Sequence, residues 1–211
     1  MVYQLNDLIH YYLIKGNYKQ KPILINLSGI PASGKTTLIK QLFLKDQFIL
    51  INHDDIFSKL EKKSMKIAVR YAYRILINCI RNKYNIIYDH CSISSRYKCI
   101  LNLCQKYNYS LINYYCHTDV SLAVERAFKR EKLIGQVTSI EKIYTKQLLL
   151  LNQFSDLISN FDTCYLYYNS KNVIQPLKVA KYKKMANEWV VYNSLYFDEL
   201  NNLYNFRRED V

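Results

Sequence analysis

The segment Gly29-Ile30-Pro31-Ala32-Ser33-Gly34-Lys35-Thr36 has the spacing G-x-x-x-x-G-K-[ST], and its residue types suit one task, holding a chain of phosphates. Two of the chain's four glycines lie in it. Glycines at these places let successive backbone N–H groups turn inward around a β-phosphate, while Lys35 reaches the β and γ oxygens and the Thr36 hydroxyl ligates Mg²⁺. Ala32, Ser33 and Thr37 complete the lining of such a site. The pattern predicts a site for a nucleoside triphosphate, ATP with Mg²⁺. Its context agrees, because the apolar run Ile23-Leu24-Ile25-Asn26-Leu27 enters the loop as a strand would and an amphipathic run over 37–44 leaves it as a helix would.

Acidic and cationic residues that phosphoryl transfer needs follow at later points in the chain. That chemistry asks for Mg²⁺ on the terminal phosphates, a carboxylate to take the proton of an attacking hydroxyl, and cations over the γ-phosphate. Asp54 and Asp55 follow a predicted second strand, and Asp89 ends a predicted third. In an open parallel sheet, ligands bind outside the carboxyl ends of the strands. Residue types alone do not separate Asp54 from Asp55; neighbours at a strand end point opposite ways, so one faces the ligand and the other is a candidate helix N-cap. Arg126 and Arg130 lie four apart on one predicted helix face, where the alternative is a surface ion pair with Glu125 or Glu131. Lys62, Lys66, Arg70 and Arg74 recur every four residues and predict a basic stripe on a helix, with Tyr71 and Tyr73 beside it to stack on bases.

The elements that must position these groups are legible as alternating patterns. Strands are expected near 23–27, 48–52, 85–89, 110–116 and 163–168, with helices between them, including one capped by Ser94 or Ser95. Strands separated by helices of this length imply right-handed crossovers. The expected fold is therefore α/β, a three-layer sandwich with a five-stranded parallel sheet. Residues 189–192 and 195–206 suggest a further short strand and a closing helix.

Composition narrows the function classes. At 211 residues, with half of them hydrophobic, the chain can bury a full core. No apolar stretch is long enough to span a bilayer, and the first residues lack a basic region followed by an apolar core, so the expectation is a cytoplasmic protein that avoids membranes. The six cysteines form no C-x-x-C pair and read as free thiols in apolar runs. His90-Cys91 and Cys116-His117 offer soft ligands for zinc as the other reading. A formal charge of +13 points to an anionic partner, nucleic acid ahead of a membrane surface, although Lys, Asn, Ile and Tyr enrichment also follows from A·T-rich coding.

Ser28 to Thr37, Ile51-Asn52-His53-Asp54-Asp55-Ile56, Ile86-Ile87-Tyr88-Asp89 and the Glu125-Arg126…Lys129-Arg130 core of 119–130 occur in the order and spacing of one enzyme group. Over residues 22–168 the chain resembles the P-loop kinases related to bacteriophage polynucleotide 5′-kinase, zeta toxins and seryl-tRNA kinases. The resemblance implies Lys35, Asp54, Arg126 and Arg130 as catalytic residues, with Asp54 the base, the arginines a lid over the phosphates, and Asp89 supporting Mg²⁺ or the acceptor. The resemblance implies a kinase domain within 1–170, and residues 171–211, with no linker rich in Gly, Pro or Ser before them, read as an appendage packed on the core. With Asp55, Asp89, Lys66, Arg70 and Arg74 on the acceptor side, the expected reaction is transfer of the γ-phosphate of ATP to a hydroxyl of nucleic acid, a polynucleotide 5′ end or a tRNA-borne group. A nucleotide-sugar kinase of zeta-toxin type is the alternative, and a nucleotide-dependent switch is a third reading. One departure stands out: where polynucleotide kinases and zeta toxins carry an arginine after the base, this chain has Ile56-Phe57.

Overall fold

The computed structural model describes residues 4–42, 47–91, 95–134, 137–171, 173 and 175–206. Its elements are α1 (Leu5–Leu13), β1 (Ile23–Ser28), α2 (Lys35–Gln41), β2 (Ile49–Asn52), α3 (His53–Lys59), α4 (Met65–Arg81), β3 (Ile86–Asp89), α5 (Ser95–Lys106), β4 (Ser110–His117), α6 (Val120–Ile134), α7 (Ile140–Ser159), β5 (Thr163–Tyr168), β6 (Leu177–Lys183), β7 (Glu188–Val191) and α8 (Ser194–Tyr204). The strands form one seven-stranded sheet in the order β2-β3-β1-β4-β5-β6-β7. The α/β fold is as expected, but the sheet is mixed and two strands wider. β2 is parallel to β3 and β4 to β5, whereas β6 and β7 add as an antiparallel hairpin.

The extra strand β6 escaped sequence reading for a physical reason. A register shift between Leu166 and Tyr167 of β5 places Val179 and Ala180 side by side in the core, so the apolar residues do not alternate. What remains visible is a run of lysines. The hairpin turn after it uses Asn187 in the left-handed region, at φ 46°, which asparagine tolerates.

The chain divides into two compact units, one made of Met1–Asn26, Phe43–His90 and Ser94–Leu111, the other of Leu27–Leu42, Cys91–Ile93 and Ile112–Val211. In the first, α4 buries Ala68, Ala72, Ile75, Leu76, Cys79 and Ile80 along one face. Ser64 caps it by accepting from the Ile67 N–H at 3.4 Å, so Lys62 precedes the helix rather than beginning its stripe. Tyr109 donates to the Tyr84 carbonyl at 2.8 Å, and Tyr97, wholly buried, donates to Asn26 Oδ1 at 2.9 Å. Ser94, one of the two expected caps of α5, lies outside the described residues, as do Phe43 and Leu44 beyond α2.

In the second unit, helices cover both faces of the strands. Leu38 of α2 packs on Cys116 and Tyr167. On the opposite face, Phe154 of α7 stacks on Tyr204 of α8 with centroids 4.2 Å apart and meets Tyr115 of β4 edge-on at 4.8 Å. Phe154 is wholly buried. Phe154→Ala should lower the free energy of unfolding by about 3–5 kcal/mol, read as an earlier urea midpoint.

Candidate functional site

In the second unit the loop after β1 is set by backbone conformations that few residues adopt. Gly29 has φ 129°, Ala32 φ 63° and Gly34 φ 99°. A Cβ on Gly29 would run into the Cys116 carbonyl oxygen, and one on Gly34 into the Asn169 amide. Space and torsion therefore both demand glycine. Lys35 is only 8% exposed, and its Nζ donates to the carbonyls of Gly29 at 3.0 Å and Ile30 at 2.9 Å. Thr36 and Thr37 lie exposed in the first turn of α2, where backbone N–H groups have no intrahelical acceptor. The buried Ser33 Oγ has no hydrogen-bond partner. A cradle too tight for a Cβ, an unsatisfied hydroxyl, a cation and an exposed threonine hydroxyl fit a phosphate chain with Mg²⁺.

Asn169 ties this loop to the predicted lid. Its Nδ2 donates to the Ser33 carbonyl at 2.7 Å, and its Oδ1 accepts from Arg126 Nη2 at 3.2 Å. Thr118 Oγ1 donates to the Asn169 carbonyl at 2.7 Å and accepts from Arg126 Nη1 at 3.4 Å. Arg126 is half-buried, and burial draws its pKa below the ordinary value, though a guanidinium stays charged. Arg130 sits one turn along α6, also half-buried. The alternative ion pair of Arg126 with Glu125 is not formed: Glu125 takes Lys129 at 2.6 Å and Lys171 at 3.9 Å. Asn169 and Thr118 were missed in the sequence. Their one signal is position, since each follows a strand, as Asp89 ends β3.

In the first unit the organiser is Asn52, which the sequence motif contains but to which it assigns no role. Its Oδ1 accepts from the backbone N–H of Asp54 at 2.7 Å and of Asp55 at 3.1 Å, and its Nδ2 donates to Asp89 Oδ2 at 2.8 Å. Asn52, not either aspartate, is thus the N-cap of α3, and the expectation that Asp54 and Asp55 alternate at a strand end is replaced by two positions in a first helical turn. Asp55 accepts from the Tyr12 hydroxyl at 2.8 Å and pairs with Lys59. Asp54 is exposed. His53 Nε2 lies 3.0 Å from the Tyr88 hydroxyl, and the His90 ring stacks on Tyr88 at 5.3 Å.

The predicted acceptor stripe is half realised. Lys66, Arg70 and Arg74 are exposed on α4, but Tyr73 is 7% exposed and packs on Tyr88, so it cannot stack on a base. Ile56 is buried, and Phe57 lies under the Lys63 ammonium at 5.8 Å. Among the described residues no group of three or more His, Cys, Asp or Glu could hold a metal, and no helix is long and apolar enough to cross a membrane. The cysteines are free; burial pushes the thiols of Cys79, Cys104 and Cys116 up to about 12. Cys116 donates to the Ser33 carbonyl at 3.1 Å.

The sequence matches the family model AAA_33, described as AAA domain, over residues 24–140. No curated protein matches the sequence. Among solved structures, a chain of the PezAT chromosomal toxin-antitoxin system of Streptococcus pneumoniae superposes with a TM-score of 0.69 at 13% identity, over 98% of this chain and 87% of that one. The AvrRxo1-ORF1:-ORF2 complex with ATP gives 0.71 at 12% identity, over 98% and 72%. A chain of the Pnkp1/Rnl/Hen1 RNA repair complex gives 0.54 at 20% identity, over 78% of this chain and 50% of that one. The likeness is one of fold, an α/β architecture with helices around a largely parallel sheet.

Two outcomes follow from this geometry. Gly34→Ala places a side chain at positive φ against the Asn169 amide and should cost about 1–3 kcal/mol of stability, measured by urea unfolding. His117, 4% exposed with Nδ1 2.9 Å from the Tyr204 hydroxyl, has its pKa pushed down to about 4 by burial. The unfolded chain therefore binds a proton at higher pH than the folded one, near its ordinary 6.5. Stability should be full above that value and fall by on the order of 3 kcal/mol as the pH drops to about 4. His117→Gln should flatten that part of the unfolding profile.

Proposed function

We propose, from the premise that the chain belongs to the AAA_33 family of AAA domains, that it is a kinase passing the γ-phosphate of ATP to a hydroxyl of a nucleic acid, either a polynucleotide 5′ end or a tRNA-borne group. The observation that carries the reading is the Asn169 bridge, which holds the phosphate loop at Ser33 and the Arg126 guanidinium at one amide. A bare nucleotide-binding loop needs no arginine built into it. A phosphotransferase does, because charge develops on the transferring group.

In this reading the loop N–H groups and Lys35 hold the β- and γ-phosphates, exchanging the Lys35 bonds to Gly29 and Ile30 for phosphate oxygens. Thr36, with Asp89 as the supporting acid, would hold Mg²⁺, which supplies charge neutralisation on the phosphates. Arg126 and Arg130 stabilise the charge of the transferring group. Asp54 accepts the proton of the acceptor hydroxyl as that oxygen bonds to the γ-phosphorus and the bond to the β-phosphate oxygen breaks, giving ADP. Asp55 accepts from the Tyr12 hydroxyl and pairs with Lys59 on the acceptor side. The acceptor class rests on charge: a net +13 and the exposed Lys66, Arg70 and Arg74 suit a polyanion. The solved relative from an RNA repair complex is compatible with it.

Transfer of γ-³²P to 5′-hydroxyl oligonucleotides and to total tRNA tests the reading. Label on neither, with ATP still bound, removes it; label on a UDP-sugar alone replaces it by the small-molecule alternative. Asp54→Asn should lower transfer at least ~10²-fold while leaving ATP affinity unchanged. Arg126→Ala should lower kcat about 10²–10³-fold with a smaller change in the KM for ATP.

A further inference from the structure

Tyrosine and lysine share one face of β4 to β7, outside the motifs named above. Pairing of Tyr114 with Tyr165 and of Cys116 with Tyr167 places these side chains on a common face, and the Tyr114 ring lies 5.0 Å from Tyr165 and 6.0 Å from Tyr167. The hairpin extends it, with Lys181 opposite Tyr165 and Lys178 opposite Tyr167. Lys178 Nζ stands 4.9 Å over the Tyr165 ring and 4.2 Å over Tyr192, and Lys181 Nζ 5.2 Å over Tyr165. Leu38 of α2 and Leu42 at its C-cap pack at the Cys116 border. Toward β7 the face opens: Lys178 and Tyr192 are exposed, and Tyr114, Tyr165 and Lys181 half-buried. Lys183 is exposed on the same hairpin, and Glu188, paired with Lys183, is the single acid of β6 and β7.

We infer that this face binds single-stranded nucleic acid, with bases stacked on Tyr192 and Tyr165 and phosphates held by Lys178 and Lys181. Every base presents a π-face to an exposed ring, and interleaved cations track the backbone, so such a surface needs no particular sequence. The lysines are already fixed over the rings, which lowers the ordering cost of presenting them to phosphate. Val190, half-buried opposite Lys181, and the exposed Met185 at the hairpin tip are the apolar members nearby, while Tyr192 and Lys178, the exposed residues that carry the stacking and charge, are a phenol and an ammonium group. The surface extends the proposed acceptor class but rests on residues that the transfer chemistry does not use.

Fluorescence anisotropy of a 3′-labelled oligouridine, in the presence of ATP and across a salt series, tests it. Tyr192→Ala should weaken binding about tenfold and Tyr192→Phe leave it near wild type. Lys178→Gln with Lys181→Gln should reduce the slope of log Kd against log salt by about 1.4. Unchanged affinity in Tyr192→Ala and in the lysine pair overturns the inference. So does a phosphatidylserine vesicle that binds through these residues while oligouridine does not bind. Oligouridine binding that depends on Tyr192, without label on 5′-hydroxyl oligonucleotides or on tRNA, upholds the surface and removes the nucleic-acid acceptor. Label transfer with binding indifferent to both variants does the reverse.

Discussion

Asn169 sets its amide against the Cα of Gly34 and donates to the Ser33 carbonyl, and the phosphate loop depends on that contact. Three loop residues, Gly29, Ala32 and Gly34, sit in left-handed conformations. Such torsions persist only where the surroundings over-determine them. Here the surroundings are specific: Asn169 fills the space that a Gly34 side chain would occupy, Cys116 supplies a second donor to Ser33, and Lys35 closes the loop from within. Because the other end of the Asn169 amide accepts from Arg126, the shape of the loop and the resting place of the guanidinium are coupled.

A different solution governs the acidic cluster of the first unit. Asn52 organises Asp54, Asp55 and Asp89 with both ends of one side chain, capping the helix that carries the first two and donating to the third. Tyr12 and Lys59 then engage Asp55, and burial together with the Asp55 charge raises the Tyr12 pKa. The two neighbouring carboxylates thereby acquire different surroundings although their sequence context is the same.

How far the chain could be read in advance follows from what each signal depends on. Gly29 to Thr36 was legible because its task fixes residue types at fixed spacing, and β1 to β5 because apolar runs alternate with helical patterns. β6 was not, since one irregularity in pairing with β5 hid its period. The roles of Asn169 and Thr118, and the Asn52 contact with Asp89, were invisible for another reason: each acts through a partner distant in sequence, and an asparagine at a strand end looks like any turn residue. Tyr73 misled in the opposite direction. A tyrosine beside a basic stripe reads as a stacking platform, but a tyrosine one step around the helix faces the core, and only packing against Tyr88 distinguishes the two.

The hairpin that widened the sheet also changes what its borders can do. The outermost strands are β2 and β7, and each spans four residues. An unpaired border is a template on which another chain can add, and short borders offer few groups to it. Without the hairpin, β5, a six-residue strand rich in tyrosine, would have been that border. By covering β5 with a lysine-bearing strand and ending on a shorter one, the chain places this tyrosine-rich segment inside the sheet, a protection that is independent of any ligand.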